Sequence, residues 1–438
     1  MEKYPRVLVI SHNPFSDTQN NGKTLSAFFN GWPKDKIAQL YLTYDKPDLT
    51  VCSNFYRVTD LDVLKQFFNK NRDNSGKIDE KYINKDNEKE RLHQNRIYLF
   101  IRNLFLKRIP IMNWFRDMVW NKVKPWKNEK MCKWIKDFNP EIIFFQSSSA
   151  YVIFDMVEYI HKLTNAELYT ETTDDYVTKH FSIDPFYNIN INKLIIRYQN
   201  IVNKSKCIFA IGDMMAEEYK NRFGGNYKVA MNSIDISDKV IPYERIHNAT
   251  IRILYTGNLG LNRWKVLQKI GKVLKRFNEI NIKVKLDIYS LNKPSNTILK
   301  KINIKGIIEY KGSLDKEGLI KERNASDILL HVESFDKKNR NTTRLSISTK
   351  IPECLLSERC LVVVGPSDIA SIKYVKDNKI GKIIDCINDK DMENKFKDII
   401  ENREERIEYI NKGKKIAEQR HNFETNRKII QNILLKKQ

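Results

Sequence analysis

Two carboxylates, Glu333 and Glu353, bracket the tripeptide Ser348-Thr349-Lys350 within the stretch Ile328 to Pro366. The stretch reads as a buried strand, an acidic residue at its end, a polar loop, a helix start carrying the second acidic residue, and another buried strand. A helix start offers unpaired backbone N–H groups and a positive dipole end, which makes an anion site, with phosphate the usual anion. Carboxylates beside such a site repel phosphate and are suited to accept hydrogen bonds from hydroxyls. A ligand with phosphates and many hydroxyls is a nucleotide-sugar. Blander roles exist for each residue: a dipole-favouring acid at Glu353, a strand-end acid at Glu333, an N-cap at Ser348.

The elements that must position these residues are legible as continuous apolar runs. RVLVIS (6–11), AQLYLTY (38–44), EIIFFQSS (141–148), ELYTETT (167–173) and CIFAIG (207–212) read as parallel strands buried on both faces. Helix-period segments such as 22–32 and 151–163 lie between them. The pattern restarts at IRILYTGNLG (251–260) and continues through KLDIYS (285–290), IIEYKG (307–312), DILLHVES (327–334), CLVVVGP (360–366) and GKIID (381–385). This predicts an α/β fold of two doubly wound, Rossmann-like domains facing across a cleft. The predicted bounds are 1–235 for an acceptor-binding domain, 236–249 for an aperiodic linker with Pro242, and 250–415 for a donor-binding domain. A C-terminal helix, 416–438, is expected to return to the first domain. Ligands of doubly wound sheets bind beyond the carboxyl ends of strands. That puts Glu333, Asn258, Arg263 and Ser348–Glu353 on one wall. His12 closes the first strand, and Asp174 and Asp175 follow LYTETT; one of these acids could orient an acceptor hydroxyl or cap a helix.

With 438 residues, two cores are the default, and 41% hydrophobic content supplies them. The formal net charge of +23 suits a polyanion or an anionic membrane face, although a Lys- and Asn-rich background composition yields the same excess. The six cysteines form no C-x-x-C pair and no His cluster accompanies them, so a reducing compartment is expected, with no metal site. MEKYPRVLVIS runs directly into a strand without a signal-like apolar core. No apolar run approaches the roughly 20 residues that span a bilayer. Gly22-Lys23-Thr24 imitates a phosphate-binding loop, but Asp17 stands where that loop requires its first glycine, and no G-x-G-x-x-G occurs. From Arg91 to Trp134, Trp114, Trp120, Trp126 and Trp134 mix with many cations and only Asp117 and Glu129 as acids. Such a basic–aromatic segment suits a lipid interface, with Trp114, Trp120, Arg102, Lys107 and Arg108 as acceptor or membrane contacts. The alternative is a core role for the aromatics.

Several motifs together resemble a known family. YTGNLGLNRW (255–264), Glu333 to Phe335, STKIPECLLSERCLVVVGP (348–366) and NYKVAMNSID (226–235) look like the donor half of GT-B glycosyltransferases, most like glycosyltransferase family 4. The resemblance covers 200–438 well and 1–200 weakly. It implies that Arg263 contacts the donor diphosphate, where negative charge develops on the leaving group. It further implies that Ser348 and Thr349 present backbone amides to phosphate, that Glu353 binds ribose hydroxyls, and that Glu333 faces the transferred sugar. Gly22 would lie in a loop, where a small residue lets backbone approach sugar and phosphate. Two departures stand out. Asn258 replaces the family's arginine, a loss Lys350 can make good. The spacing between the two Glu is lengthened by a basic insertion, 336–345, whose Arg340 or Arg344 could reach the ligand.

The function so implied is transfer of a sugar from a nucleoside-diphosphate-sugar to a hydroxyl of a lipid-linked glycan, as in capsule or O-antigen synthesis. The reaction would be retaining, without metal or other cofactor, and cytoplasmic at an anionic membrane surface. Glu333 and Asp174 are the catalytic candidates. A nucleotide-sugar epimerase of the same fold is an alternative that requires acid/base residues in the cleft. A nucleic-acid-binding protein is an alternative from a different class and makes no use of Ile328–Pro366.

Overall fold

The computed structural model describes residues 4–16, 20–69, 75–78, 109–233, 240–243 and 249–436. Arg102, Lys107 and Arg108 lie outside them. The chain divides into two units, Met1–Ala230 with Arg427–Gln438, and Met231–Asn426.

The first unit is built on β1 (Val7–Ser11), β2 (Ile37–Tyr41), β3 (Asn54–Arg57), β4 (Gly76–Ile78), β5 (Ile142–Gln146), β6 (Glu167–Thr172), β7 (Ser205–Ala210) and β8 (Tyr227–Val229). Their order is β4-β3-β2-β1-β5-β6-β7-β8. Every neighbouring pair is parallel except β3 with β4. Every residue of β1, β2 and β5 is buried, the burial that their largely apolar runs imply. The sequence reading missed β3 and the helix Asp60–Phe68. A signal was present: Thr59 and Asp62 form a capping box, with Thr59 Oγ1 accepting from the Asp62 N–H and the Asp62 carboxylate from the Thr59 N–H.

The second unit holds β9 (Ile251–Thr256), β10 (Val284–Tyr289), β11 (Ile308–Gly312), β12 (Ile328–Val332), β13 (Cys360–Val364) and β14 (Lys382–Ile384), all parallel, in the order β11-β10-β9-β12-β13-β14. The strand order reverses between β9 and β12, so the crevice of this sheet belongs there. These two strands pair only at Ile328 with Ile253 and Leu329 with Leu254. Their amino ends are clamped: the Asp327 N–H donates to Arg252 O at 2.9 Å, and the Arg252 N–H donates to Asp327 Oδ2 at 2.9 Å. Beyond Leu254 and Leu329 the pairing stops, and the carboxyl ends are left apart.

Chain membership differs from the predicted bounds at both junctions. The first unit ends at Ala230 rather than 235, and the chain rejoins it at Arg427, inside the helix Phe423–Leu434, rather than at 416. The preceding helix Arg403–Arg420 stays with the second unit because Arg406 is buried there. Its guanidinium donates to Ile399 O and Ile400 O, both at 2.6 Å, stopping the helix Asp389–Glu401. In the first unit, Ile430 and Leu434 are buried and Gln431 Nε2 donates to Phe28 O at 2.9 Å.

Gly22 lies in the helix Asn20–Phe29 rather than in a loop. A Cβ there would stand 2.3 Å from Pro14 O. The close approach it permits here is to the protein's own backbone, at Pro14. Gly22→Ala should cost about 1–3 kcal/mol through overpacking. Urea unfolding followed by tryptophan fluorescence reads this, since Trp120, Trp126 and Trp134 are buried in this unit. An unchanged midpoint would refute the packing role.

Candidate functional site

The site grows from the ends of β9 and β12. After β9, Gly257 is required because a Cβ there would lie 2.5 Å from the Tyr255 hydroxyl. That hydroxyl donates to Asn258 O at 2.9 Å, and Asn258 Oδ1 accepts from the Gly260 N–H at 2.7 Å. Leu261 and Asn262 follow with φ of 54° and 59°, two successive left-handed residues without glycine. Backbone held in such strained regions concentrates at functional sites. The helix Arg263–Glu279 then begins with neither a side-chain cap nor an acidic residue in its first turn. Arg263 is its first residue.

Glu333 follows β12 and is buried. Arg263 Nη2 donates to Glu333 Oε1 at 3.1 Å and Oε2 at 2.9 Å. Thr343 Oγ1 donates to Oε2 at 3.3 Å, and His331 Nε2 lies 3.2 Å from Oε1, a close contact rather than an aligned hydrogen bond. Burial pushes the Glu333 carboxyl up, but His331 and then Arg263 outweigh it and hold the pKa below the ordinary value of 4.5. His331 was missed in the sequence reading. Its signal was period two: residues 331 and 333 fall on the same side of an extended strand.

Ser348, Thr349 and Lys350 lead into the helix Lys350–Leu356. The Ser348 N–H is engaged by Ser371 Oγ at 2.9 Å, and Thr349 is exposed. The Lys350 ammonium donates to Thr256 O, at the end of β9, and burial lowers its pKa. In the first turn of that helix, Glu353 accepts from Arg323 Nη2. Arg323 closes the helix Lys316–Asn324 and is only 9% exposed; no motif marked it in the sequence. Both carboxylates are therefore tied to arginines, where the sequence reading had them open to hydroxyls.

Several of these groups line a cavity of about 120 Å³, bounded at the strand ends by Leu254–Asn258 and Leu329–Val332, and by Arg263, Arg323, Ser348, Lys350 and Cys354. Three cations face it, and its lining among the described residues includes no carboxylate. Burial keeps the Cys354 thiol neutral by raising its pKa to about 11. The insertion after Glu333 forms the helix Lys337–Thr343, capped by Asp336. Arg340 is held by Asp368, with Nε at 2.9 Å from Oδ2, and the Arg344 carbonyl accepts from the Ala370 N–H at 2.7 Å.

In the first unit, His12 is exposed directly after β1, and Asp174 is exposed beyond β6, accepting from the Tyr176 hydroxyl at 3.1 Å. Asp175 instead takes the Tyr219 hydroxyl at 2.7 Å and the Thr178 N–H at 3.0 Å, a structural role. Trp120 overturns its expected membrane contact: it is 2% exposed, and its Nε1 donates to Asp60 Oδ1 at 2.7 Å. Trp126 and Trp134 are also core, whereas Trp114 is half-buried against Phe186. The aromatics of this segment were read as a surface because helical spacing does not tell an inward face from an outward one.

No family model matches the chain, and no curated protein matches it by sequence. Solved structures do match its fold. A sucrose-phosphate synthase from Thermosynechococcus elongatus aligns over 98% of each chain, at 9% identity and TM-score 0.61. An α,α-trehalose 6-phosphate synthase from Burkholderia multivorans aligns over 99% of this chain and 97% of its own, at 9% identity and TM-score 0.59. Anabaena HepE in complex with UDP-glucose aligns over 99% and 100%, at 10% identity and TM-score 0.58. The fold is that of the GT-B class.

Removing Arg263 strands a buried carboxylate. Arg263→Ala should cost about 3 kcal/mol of stability at neutral pH. Because the folded pKa of Glu333 is depressed, its contribution is complete above 4.5 and is lost as pH falls through the folded value. The wild-type advantage over Arg263→Ala in urea should therefore shrink in acid; a pH-independent difference would refute the assignment.

Proposed function

We propose that the chain is a glycosyltransferase that moves a sugar from a nucleoside-diphosphate-sugar to a hydroxyl of a glycan acceptor. The observation that carries this reading is the cavity at the β9/β12 switch point, faced by Arg263, Arg323 and Lys350. Three cations around one small space at strand carboxyl ends suit a diphosphate. The UDP-glucose complex of a protein with the same fold supports the donor class.

On this reading Arg263 and Lys350 neutralise the diphosphate, assisted by Asn258 and the Thr349 backbone; the Ser348 N–H must leave Ser371 Oγ to join them. Lys350 supplies the charge that Asn258 lacks. Glu353 accepts from the ribose hydroxyls, exchanging its bond to Arg323 for them and freeing that guanidinium for the ligand. Glu333 positions the sugar rather than attacking it, since its carboxylate is already committed to Arg263 and His331. The acceptor oxygen bonds to the anomeric carbon on the face from which the nucleoside diphosphate departs, so configuration is retained. The acceptor's proton passes to an oxygen of the leaving phosphate. Asp174, exposed beyond β6, orients the acceptor hydroxyl. The charge of this step is met by protein cations, with no metal called for. The acceptor is a lipid-linked glycan in the assembly of a capsule- or O-antigen-like polysaccharide, at the cytoplasmic face of a membrane. The excess of 77 Lys and Arg over 54 Asp and Glu favours that anionic surface. Among the described residues no helix is long and apolar enough to cross it.

Calorimetry with a panel of nucleoside diphosphates tests the site. Lys350→Ala and Arg323→Ala should each weaken the best ligand by about 10–100-fold, the loss of one charged hydrogen bond. Glu353→Ala should weaken nucleotides but not inorganic pyrophosphate. Affinity untouched by Glu353→Ala would sink the ribose assignment, and affinity untouched by all three would sink the donor site.

A further inference from the structure

The loop 179–184 holds its polar groups in hydrogen bonds and leaves its apolar ones in solvent. Lys179 Nζ donates to Asn192 Oδ1 at 3.0 Å, the His180 N–H to the Tyr187 hydroxyl at 2.9 Å, and Asn188 Nδ2 to Ser182 O at 2.8 Å. The Asp184 carboxylate caps the helix Pro185–Lys204, accepting from the N–H groups of Phe186 at 2.9 Å and Tyr187 at 3.2 Å. A loop fastened at four residues nonetheless leaves Phe181 97% and Ile183 91% exposed. Isolated exposed apolar residues are ordinary; a fastened loop that presents two, beside more of them, is not.

The surface continues from the loop. Ile189 and Ile196 are exposed on the same helix, seven residues apart and hence on one face. The start of the helix Pro110–Val123 adjoins it: Asn190 Nδ2 donates to Pro110 O at 3.4 Å, and the Trp114 ring lies 5.3 Å from that of Phe186. Ile111, in that first turn, is exposed as well. Charge completes the pattern. Beside the loop the chain carries Lys179 and Lys193 against a single acid, Asp184, whose carboxylate is occupied by the helix cap; further along the helix, Arg197 is paired with Asp155 and Lys204 with Glu158.

We propose that this face of the first unit docks on an anionic phospholipid bilayer, with Phe181 and Ile183 entering the headgroup–acyl boundary. Cations draw the surface to anionic lipid, and apolar tips fix it there. Two side chains projecting almost wholly into solvent suit a medium that closes around them better than a rigid partner that must supply a matching pocket. The proposal rests on the lipid-linked acceptor for its purpose, but not for its test.

Flotation of the full chain with phosphatidylcholine vesicles, with and without phosphatidylglycerol, decides it. The chain should float only with phosphatidylglycerol. The double variant Phe181→Asp/Ile183→Asp should lower the partition coefficient at least about 10-fold. Its circular dichroism should be unchanged, because neither side chain is packed. Nucleoside diphosphate affinity is measured in parallel, so failure of the donor reading shows there and failure of this surface shows in the vesicles. Flotation unaltered by the double substitution overturns the proposal, as does absence of flotation with both vesicle types. A wild-type dimer in sedimentation that the double variant loses overturns it in favour of a second copy of this chain.

Discussion

The short pairing of β9 with β12 is the constraint on which the candidate site depends. The reciprocal backbone and carboxylate clamp between Arg252 and Asp327 fixes the amino ends of both strands. Two residues further on the pairing ends. A parallel sheet is continuous only while its ladder is, so the opened carboxyl ends must be filled with something else. Here the filler is charge: the Arg263–Glu333 pair spans the gap from the helix after β9 to the end of β12, and Lys350 reaches the last carbonyl of β9. The cavity is what remains between them.

Charge of this kind is costly to bury, and the structure shows how the cost is met. Glu333 receives a histidine contact and a guanidinium, which together overcome its desolvation, and a threonine hydroxyl besides. Glu353 is paired with Arg323 at a more open position, its side chain 38% exposed. The two pairs are thus unequal. The Glu333 pair is buried on both sides, whereas the Glu353 carboxylate remains partly open to solvent. Arg323, the partner of the more open acid, also lines the cavity.

Much of this was legible in the residues. The unbroken apolar runs that open β1, β5 and β13 identified buried parallel strands, because only strands covered on both faces lack polar alternation. The positions of Asn258, Arg263, Ser348 and Lys350 around one cavity followed from strand ends and a helix start. Other features were illegible for definite reasons. Trp120 looked like an interfacial aromatic because the sequence does not say that Asp60, sixty residues away, would take its indole N–H. Gly22 was expected in a loop because the sequence does not show that its backbone packs on Pro14 O from within a helix.

The sequence by itself determined which segments are strands and where the chemistry-bearing residues fall along them, since periodicity and turn residues act over a few neighbours. It marked Glu333 and Glu353 as a pair of acids near a phosphate-suited helix start. Only the tertiary structure decided what each acid does, because their arginines come from distant helices: Arg263 from the one after β9, Arg323 from the one before β12. Electrostatic pairing depends on distance through space, and the distances that matter here are set by the order in which parallel strands are laid side by side.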